Sequence, residues 1–491
     1  MRIEFFAESE AVYGNAADVV KDLNLTFIAR NMAHDNYGDV PFILEILQHP
    51  LLTEGDIETR QQVVMTACEY AAFIYELRKI IVKAWEELDS GVKAIQDSRG
   101  KHLMEQTVIG IHVECIRGLV MGLEQIHNLL QKNKNICEST AFAPFYNAFY
   151  QEEPIELLEE QKALVLHLDS FKDKGEILLR AGIGEGFALQ DVDILAVSSK
   201  ARRITGGLFS SKRGQVIADE EVYQSGVEFT NQVILGLLEQ CLPFLQHWQE
   251  LLYDMMRQTM FLAGCARLYQ RGNDSGMYFC IPGREDREAE KLYELSLALQ
   301  TLVLPIYNTA ALAEYRAIVV TGANQGGKST FLRSLGIAQV MCQAGMYVAA
   351  KKYPLHAYKD MFTHFTRRED VTMNMGKFEE ELKRMEEILR GAEENTLILL
   401  NESFATTTEV TAFQIAMDLT HACMENQVTL WIVTHITKYA KELYREGHKD
   451  VLFLSAGRQA DKEVRFTMYE KAPGDTSYGL ELYEEMIGRK I

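Results

Sequence analysis

At 491 residues, with 47% apolar and 24% charged side chains, the chain has the make-up of a soluble globular protein too long for one ordinary core, so about two to four domains are expected. Seventy acidic against 50 basic residues give a net charge of −20, which argues against a broad nucleic-acid surface but leaves room for a local one. No run of about eighteen uninterrupted apolar residues suggests a membrane span.

The chain opens Met-Arg-Ile-Glu-Phe-Phe-Ala-Glu-Ser-Glu, with acids where a signal peptide needs an apolar core, so the cytoplasm is the expected location. Val64, Ala67, Ala71, Ile74, Leu77, Ile81, Trp85 and Leu88 recur every three or four positions, and Met104, Val108, Ile111, Cys115, Leu119, Ile126 and Leu130 follow a similar rule. Both stripes predict long helices whose apolar faces are core packing. Between 200 and 213, Lys200, Arg202, Arg203, Lys212 and Arg213 lie among Gly and Ser; such a stretch suits an exposed linker or a flexible phosphate-contacting loop. A further helical pattern carries Val233, Leu237, Cys241, Phe244, Trp248, Leu251 and Met255, with Pro243 expected to kink or split it.

The most informative segment follows. Ala317-Ile-Val-Val-Thr-Gly322 reads as a strand running into Gly322-Ala-Asn-Gln-Gly-Gly-Lys-Ser-Thr330, which fits the phosphate-loop pattern G-x-x-x-x-G-K-S. Glycines let the backbone wrap a polyphosphate with N–H groups pointing inward. Gly322, Ala323, Asn324, Gln325, Gly326, Gly327, Lys328, Ser329 and Thr330 are therefore the candidate nucleotide-binding residues. Lys328 is expected at the β- and γ-phosphates and Ser329 on Mg²⁺. Phe331, Leu332, Leu335 and Val340 have helical spacing, which sets the phosphates on a helix N-terminus.

Phe378, Leu382, Met385 and Leu389 predict another helix, with Glu379, Glu380, Glu381, Lys383 and Arg384 forming its wet face. Thr396-Leu-Ile-Leu-Leu400 reads as a buried strand ending in Asn401-Glu402. In P-loop ATPases an Asp at this point holds the Mg²⁺ shell and a following Glu activates water. Here Glu402 is the candidate general base. Asn401 can accept a hydrogen bond from a metal-bound water but brings no charge, so weak Mg²⁺ retention or slow turnover is expected. Without the phosphate loop, Asn401-Glu402 would be an ordinary strand-end turn. A third strand, Thr429-Leu-Trp-Ile-Val433, ends in Thr434-His435, where a histidine is well placed to sense a γ-phosphate. Cysteines 68, 115, 137, 241, 265, 280, 342 and 423 form no C-x-x-C pair, so their spacing indicates neither a disulfide framework nor a zinc site.

Taken jointly, these residues resemble the ATPase domain of the MutS mismatch-repair family, within the ABC class of P-loop proteins. The resemblance spans about the last third of the chain: the loop 321–330, Ala344-Gly-Met-Tyr-Val348, Asn401-Glu-Ser-Phe-Ala-Thr-Thr-Thr408, Thr434-His435 and Gly474-Asp-Thr-Ser-Tyr-Gly479. It implies that Lys328, Glu402 and His435 serve catalysis, that Ser329 and the position of Asn401 serve the metal, and that Thr406, Thr407 and Thr408 approach a partner's nucleotide. Two departures stand out. The family usually has Asp where this chain has Asn401, and its trans-acting Gly-Arg-Ser-Thr turn is shortened to Gly376-Lys377. Lys377 is then either a substitute donor or a solvated residue opening a helix.

Leu47-Gln-His-Pro-Leu-Leu52 with Ile57, Arg60 and Gln61 also resembles the start of the MutS core domain. Phe6-Ala-Glu8 spells the mismatch-reading tripeptide, but the surrounding chain has no room for that domain, and no nuclease-like tail follows Tyr478. The resemblance thus implies a mainly α lever or core domain over 1–290 and an α/β P-loop ATPase domain over 291–491, without mismatch-recognition domains. Its expected cofactors are ATP and Mg²⁺. Its expected partners are DNA, branched or structured rather than mispaired, and a second copy of the chain in a clamp. Two alternatives stay open, a nucleotide-gated scaffold on RNA or ribosomes and an ATP-binding module with little turnover.

Overall fold

The computed structural model describes residues 3–99, 103–174, 176–183, 189–198, 231–232, 234–236, 238–322, 325–366, 376–404, 406–457 and 466–474, with backbone alone at 164, at 377 and from 166 to 198. Ala323, Asn324, the basic stretch 200–213, Val233, Leu237, Ala405 and most of the Gly474–Gly479 run lie outside the described residues. The chain divides into two units, one from Met1–Phe5 and Tyr75–Thr259, the other from Phe6–Ile74 and Met260–Ile491.

The first unit is mainly helical. Ala71–Ser98 and Glu105–Lys132 bury Leu77, Ile81, Leu88, Leu119, Leu123 and Ile126. The stripe that begins at Val64 is not one helix, because Glu54–Glu69 ends at Tyr70 (ψ 44°) before Ala71–Ser98 begins. Small residues set the crossing of the two long helices. A Cβ on Gly122 would lie 2.6 Å from Ala84 Cβ, and one on Gly91 would lie 2.6 Å from Cys115 Sγ. Ala84 faces Gly122 and Gly91 faces Cys115, a pairing that only an antiparallel arrangement allows. Pro243 sits in the first turn of Leu242–Asp274, just after a break at Cys241; at that position its missing N–H leaves no intrahelical bond unmade. Phe142, Phe145, Phe149 and Trp248 fill the core of this unit, and Glu176–Ile183 pairs with Leu189–Ser198 as an antiparallel ribbon.

The second unit is built on a six-stranded sheet: β1 (Ala317–Gly322), β2 (Asp360–Phe365), β3 (Thr396–Asn401), β4 (Thr429–Val433), β5 (Val451–Ala456) and β6 (Met468–Glu470). Their order is β6-β5-β1-β4-β3-β2. All neighbours are parallel except the antiparallel edge strand β6. Ile318, Val319, Val320, Leu399 and Leu400 are fully buried, as expected where both faces of a parallel sheet are covered. Each such side chain contributes about 1.5–3 kcal/mol by leaving water.

Helix α1 (Lys328–Gln343) follows β1; α2 (Lys377–Gly391), α3 (Glu409–Glu425) and α4 (Thr437–Glu446) precede β3, β4 and β5. The chain leaves β1 for the far edge at β2, returns through β3 to β4, then crosses to β5 on the other side of β1. The end of β1 is thus the topological switch point, where open α/β sheets hold their ligands.

Residues 6–74 pack on this same sheet. A Cβ on Gly336 of α1 would meet Leu23 at 2.6 Å and Leu399 at 2.8 Å. Thr363 Oγ1 donates to Asp22 Oδ2 (2.9 Å), Asn15 Nδ2 donates to Thr363 O (2.8 Å), and Leu51 N donates to Gln343 O (2.9 Å). Burial raises the Asp22 carboxyl above its usual value, and the Thr363 hydroxyl works against that rise. Ile57, Arg60 and Gln61 are buried in this unit as well.

Candidate active site

The β1–α1 loop is held by backbone conformations that few residues adopt. Gly322 has φ +118° and Gly327, which caps α1, has φ +86°. Gln325 between them has φ +62°. At Gly322 a Cβ would lie 2.7 Å from the backbone nitrogen of Ala456, so the loop leaves the sheet where β5 permits only glycine. Lys328 begins α1 and its side chain turns back, with Nζ donating to Gly322 O at 3.0 Å. The same amine lies 3.9 Å from Glu402 Oε1 and is 4% exposed. Burial pushes the Lys328 pKa below the ordinary lysine value, and the Glu402 carboxylate partly restores it.

Glu402 projects from the end of β3 with φ +53°, and its N–H donates to Val433 O of β4 at 2.9 Å. A non-glycine residue in this left-handed region is strained and persists where its surroundings hold it. Thr366 Oγ1 bridges Asn401 O (3.0 Å) and Glu402 O (2.9 Å). Phe404, φ +67°, donates its N–H to Glu381 Oε1 (2.6 Å), and Thr406 Oγ1 donates to Glu381 Oε2 (2.7 Å). The loop that follows the acid is therefore pinned by a carboxylate from α2.

Gln325, Gly326, Gly327, Lys328, Ser329, Thr330 and Glu402 line one cavity of about 630 Å³. The lining also includes apolar Leu297, Val303, Leu304, Pro305, Ile306 and Phe466. A lining that is part polar and cationic, part apolar suits a ligand with a phosphate end and a flat hydrophobic end. Asn401 and His435 are not among the lining residues. Asn401 Oδ1 is buried with no hydrogen-bond partner, and His435 is exposed just beyond β4. Thr408 caps α3 by accepting from Thr411 N. The Ser329 hydroxyl in the cavity lining is of the oxygen type that a hard divalent cation bound along with phosphate takes, whereas Asn401 Oδ1 is buried outside that lining.

Three features were not legible from motifs. Glu381 is 7% exposed, although it reads as part of a charged helix face. The buried stripe of α2 runs Glu381, Met385, Ile388, whereas Leu382 and Leu389 are exposed. A glutamate four residues before Met385 and seven before Ile388 was the available signal. The apolar run Leu302-Val-Leu-Pro-Ile306, with Leu302 at 51% and Val303 at 65% exposure, could have been noticed as a surface patch ahead of β1. Phe466 carried no signal at all.

An open, largely parallel α/β sheet with a glycine loop at its switch point, beside an acid from the end of β3, two strands from β1, defines a ligand-binding α/β fold with its cleft at the carboxyl ends of the strands. Residues 318–488 match the family model for MutS domain V. Over 169 residues the chain is 30% identical to the DNA mismatch repair protein MutS of Petrotoga mobilis, covering 34% of this chain and 20% of that protein. It is 29% identical over 153 residues to MutS protein homolog 4 of Mus musculus (31% and 15% covered) and 27% identical over 184 residues to endonuclease MutS2 of Thermus thermophilus (37% and 24% covered). The chain thus spans about a fifth of the length of the curated relatives it matches.

Proposed function

We propose that this chain is an ATP-dependent DNA-binding protein of the MutS type, in which ATP binding and slow hydrolysis at the interface of a homodimer drive a clamp on DNA. The observation that carries the reading is a single cavity holding the phosphate-loop residues 325–330 and Glu402, inside the segment that matches MutS domain V. The helical chain up to about residue 290 would act as the lever and 291–491 as the engine, with 6–74 lending helices to the engine's unit.

Lys328 would neutralise the β- and γ-phosphates, and the apolar lining at 303–306 would receive the base. When bound, Mg²⁺ would lower the negative charge of the phosphates, held by Ser329 with Asn401 close to its water shell. Glu402, held by the β4 backbone and the Glu381-pinned loop, would orient a water and accept its proton. In the parent Lys328 and Glu402 sit close enough to share charge, so phosphate arrival would draw the amine away and leave the carboxylate freer as a base. His435 would reach the γ-phosphate only through movement of the β4–α4 turn.

Nucleotide titration and steady-state ATPase assays test this reading. Lys328→Ala should abolish ATP affinity. Glu402→Ala should retain ATP and lose turnover by about 10²-fold or more. Unchanged ATP affinity in Lys328→Ala would remove the reading's foundation. The reading of a module with little turnover draws on the amide at Asn401 and its unpartnered oxygen; on it, Asn401→Asp should raise the ATPase rate by restoring charge to the metal shell. Filter binding to branched DNA, duplex DNA and structured RNA distinguishes the DNA clamp from an RNA-directed scaffold.

A further inference from the structure

On the far side of α3 and α4 from their starting loops, three metal-ligating side chains converge. His421 Nε2 lies 2.8 Å from Glu446 Oε2, and His448 Nε2 lies 2.9 Å from the same oxygen. One ligand atom from each residue falls within 4.8 Å of the other two. The two imidazole rings stand 6.3 Å apart at a 59° tilt, so their nitrogens point to a common locus rather than stacking. All three side chains are about a third exposed (39%, 30% and 36%), open enough for an ion to enter and sheltered enough to hold their geometry.

The convergence is built by the fold. His421 is on α3, Glu446 is the last residue of α4, and His448 follows Gly447, whose φ of +73° ends α4 and folds the next residue back beside Glu446. The two helices are fixed to each other elsewhere: Thr420 Oγ1 and Tyr439 OH share a buried 2.7 Å hydrogen bond, and Lys438 Nζ sits 4.5 Å over the Phe413 ring. Ligands on helices held this way need only small side-chain adjustments to close on an ion.

We propose that His421, Glu446 and His448 form a divalent transition-metal site, of the zinc class, that braces α3 against α4. Two imidazoles and one carboxylate favour Zn²⁺, Co²⁺ or Ni²⁺ over the oxygen-seeking Mg²⁺ and Ca²⁺, and three protein ligands leave a position for water. The site is separate from the nucleotide cavity, shares none of its residues, and stands or falls independently of it.

The test uses the full chain stripped with chelator, titrated with Zn²⁺ against a chromophoric zinc indicator, alongside His421→Ala, Glu446→Gln and His448→Ala. The parent should bind about one Zn²⁺ per chain at micromolar affinity or tighter, and each variant should bind at least about tenfold more weakly while keeping the parent's circular dichroism. Co²⁺ loading of the parent should give visible d–d bands without the thiolate-to-cobalt band that any cysteine site would show. Absence of stoichiometric Zn²⁺ binding, a thiolate band, or parental affinity in any one of the three variants would overturn the assignment. Because the readout is metal binding by folded protein, a failed ATPase assay bears only on the nucleotide reading.

Discussion

Lys328 is a cation 4% exposed to water, with one carbonyl and a 3.9 Å carboxylate near it, and its depressed pKa has a stability consequence. The folded value lies below the unfolded one, so at neutral pH the unfolded chain holds this proton more readily and the charged amine weakens the nucleotide-free fold. That penalty fades only as pH rises through the alkaline window between the lowered value and the ordinary lysine value of 10.5. Lys328→Met should therefore leave the nucleotide-free protein at least as stable as the parent in urea unfolding at pH 7 and, on the proposed function, should remove any stabilisation by ATP. A loss above about 1 kcal/mol would mean that the bond to Gly322 O outweighs the desolvation. The glycines of the same loop make a graded comparison. Gly327→Ala, with φ +86° and its nearest neighbour at an ordinary 3.4 Å, should cost about 1–2 kcal/mol of backbone strain. Gly322→Ala adds a 2.7 Å approach to the Ala456 backbone and should cost about 3 kcal/mol or more. Equal losses in denaturant midpoint for the two would show that the Ala456 contact relaxes freely.

At the level of elements, α2 acts through a residue that its own periodicity disguises. Glu381 accepts from Phe404 N and Thr406 Oγ1, and those bonds hold the turn that aims Glu402. Glu381→Gln keeps the shape but loses the charge, and Glu381→Ala loses both. On the proposed reading the ATPase rate should fall in that order, with kcat falling more than KM rises, because Glu381 holds the loop after Glu402 without lining the cavity. The alanine variant should also lose about 1–3 kcal/mol of stability from the unpaired Phe404 N–H. A KM change at constant kcat would place the effect on nucleotide binding instead. The contrast with the strands shows what sequence could reveal. Ala317–Gly322, Thr396–Asn401 and Thr429–Val433 were readable because parallel strands buried on both faces must be continuous apolar runs, and the loop between 322 and 330 because glycine is needed at positive φ. The helix at Lys377 was also readable, but its rotation was not. Burial of Glu381 depends on two donors from a loop more than twenty residues away, which no local pattern encodes. The same holds for the packing of residues 6–74 on the sheet, and for the cavity, which Val303 and Phe466 line together although 163 positions apart; the pairing of β6 with β5 and the bonds from Met468 N to Asn308 Oδ1 and from Asn308 Nδ2 to Phe466 O help to place them. The split at Tyr70 was hidden for the opposite reason, since an apolar stripe can continue in phase across a one-residue break.

For the whole molecule, a net charge of −20 sets the terms on which DNA could be held. A duplex approaching such a surface is repelled at long range, so binding must come from a few clustered cations, and those contacts set the salt dependence. The stretch from Lys200 to Arg213 concentrates five cations in fourteen positions. If it touches phosphate, Lys212→Ala with Arg213→Ala should flatten the slope of log affinity against log salt by about 1.8, at about 0.9 per phosphate contact released. On the proposed reading the double variant should leave ATPase activity without DNA unchanged, since neither residue lies in the phosphate-loop or Glu402 segments of the sequence. A slope identical to the parent's would mark the stretch as a linker that makes no phosphate contact. Sizing the Glu402→Ala protein with ATP and Mg²⁺ completes the test. A clamp driven by trapped nucleotide should run as a dimer that retains closed circular DNA in high salt and releases it when the circle is cut, whereas an electrostatic binder would lose both forms together.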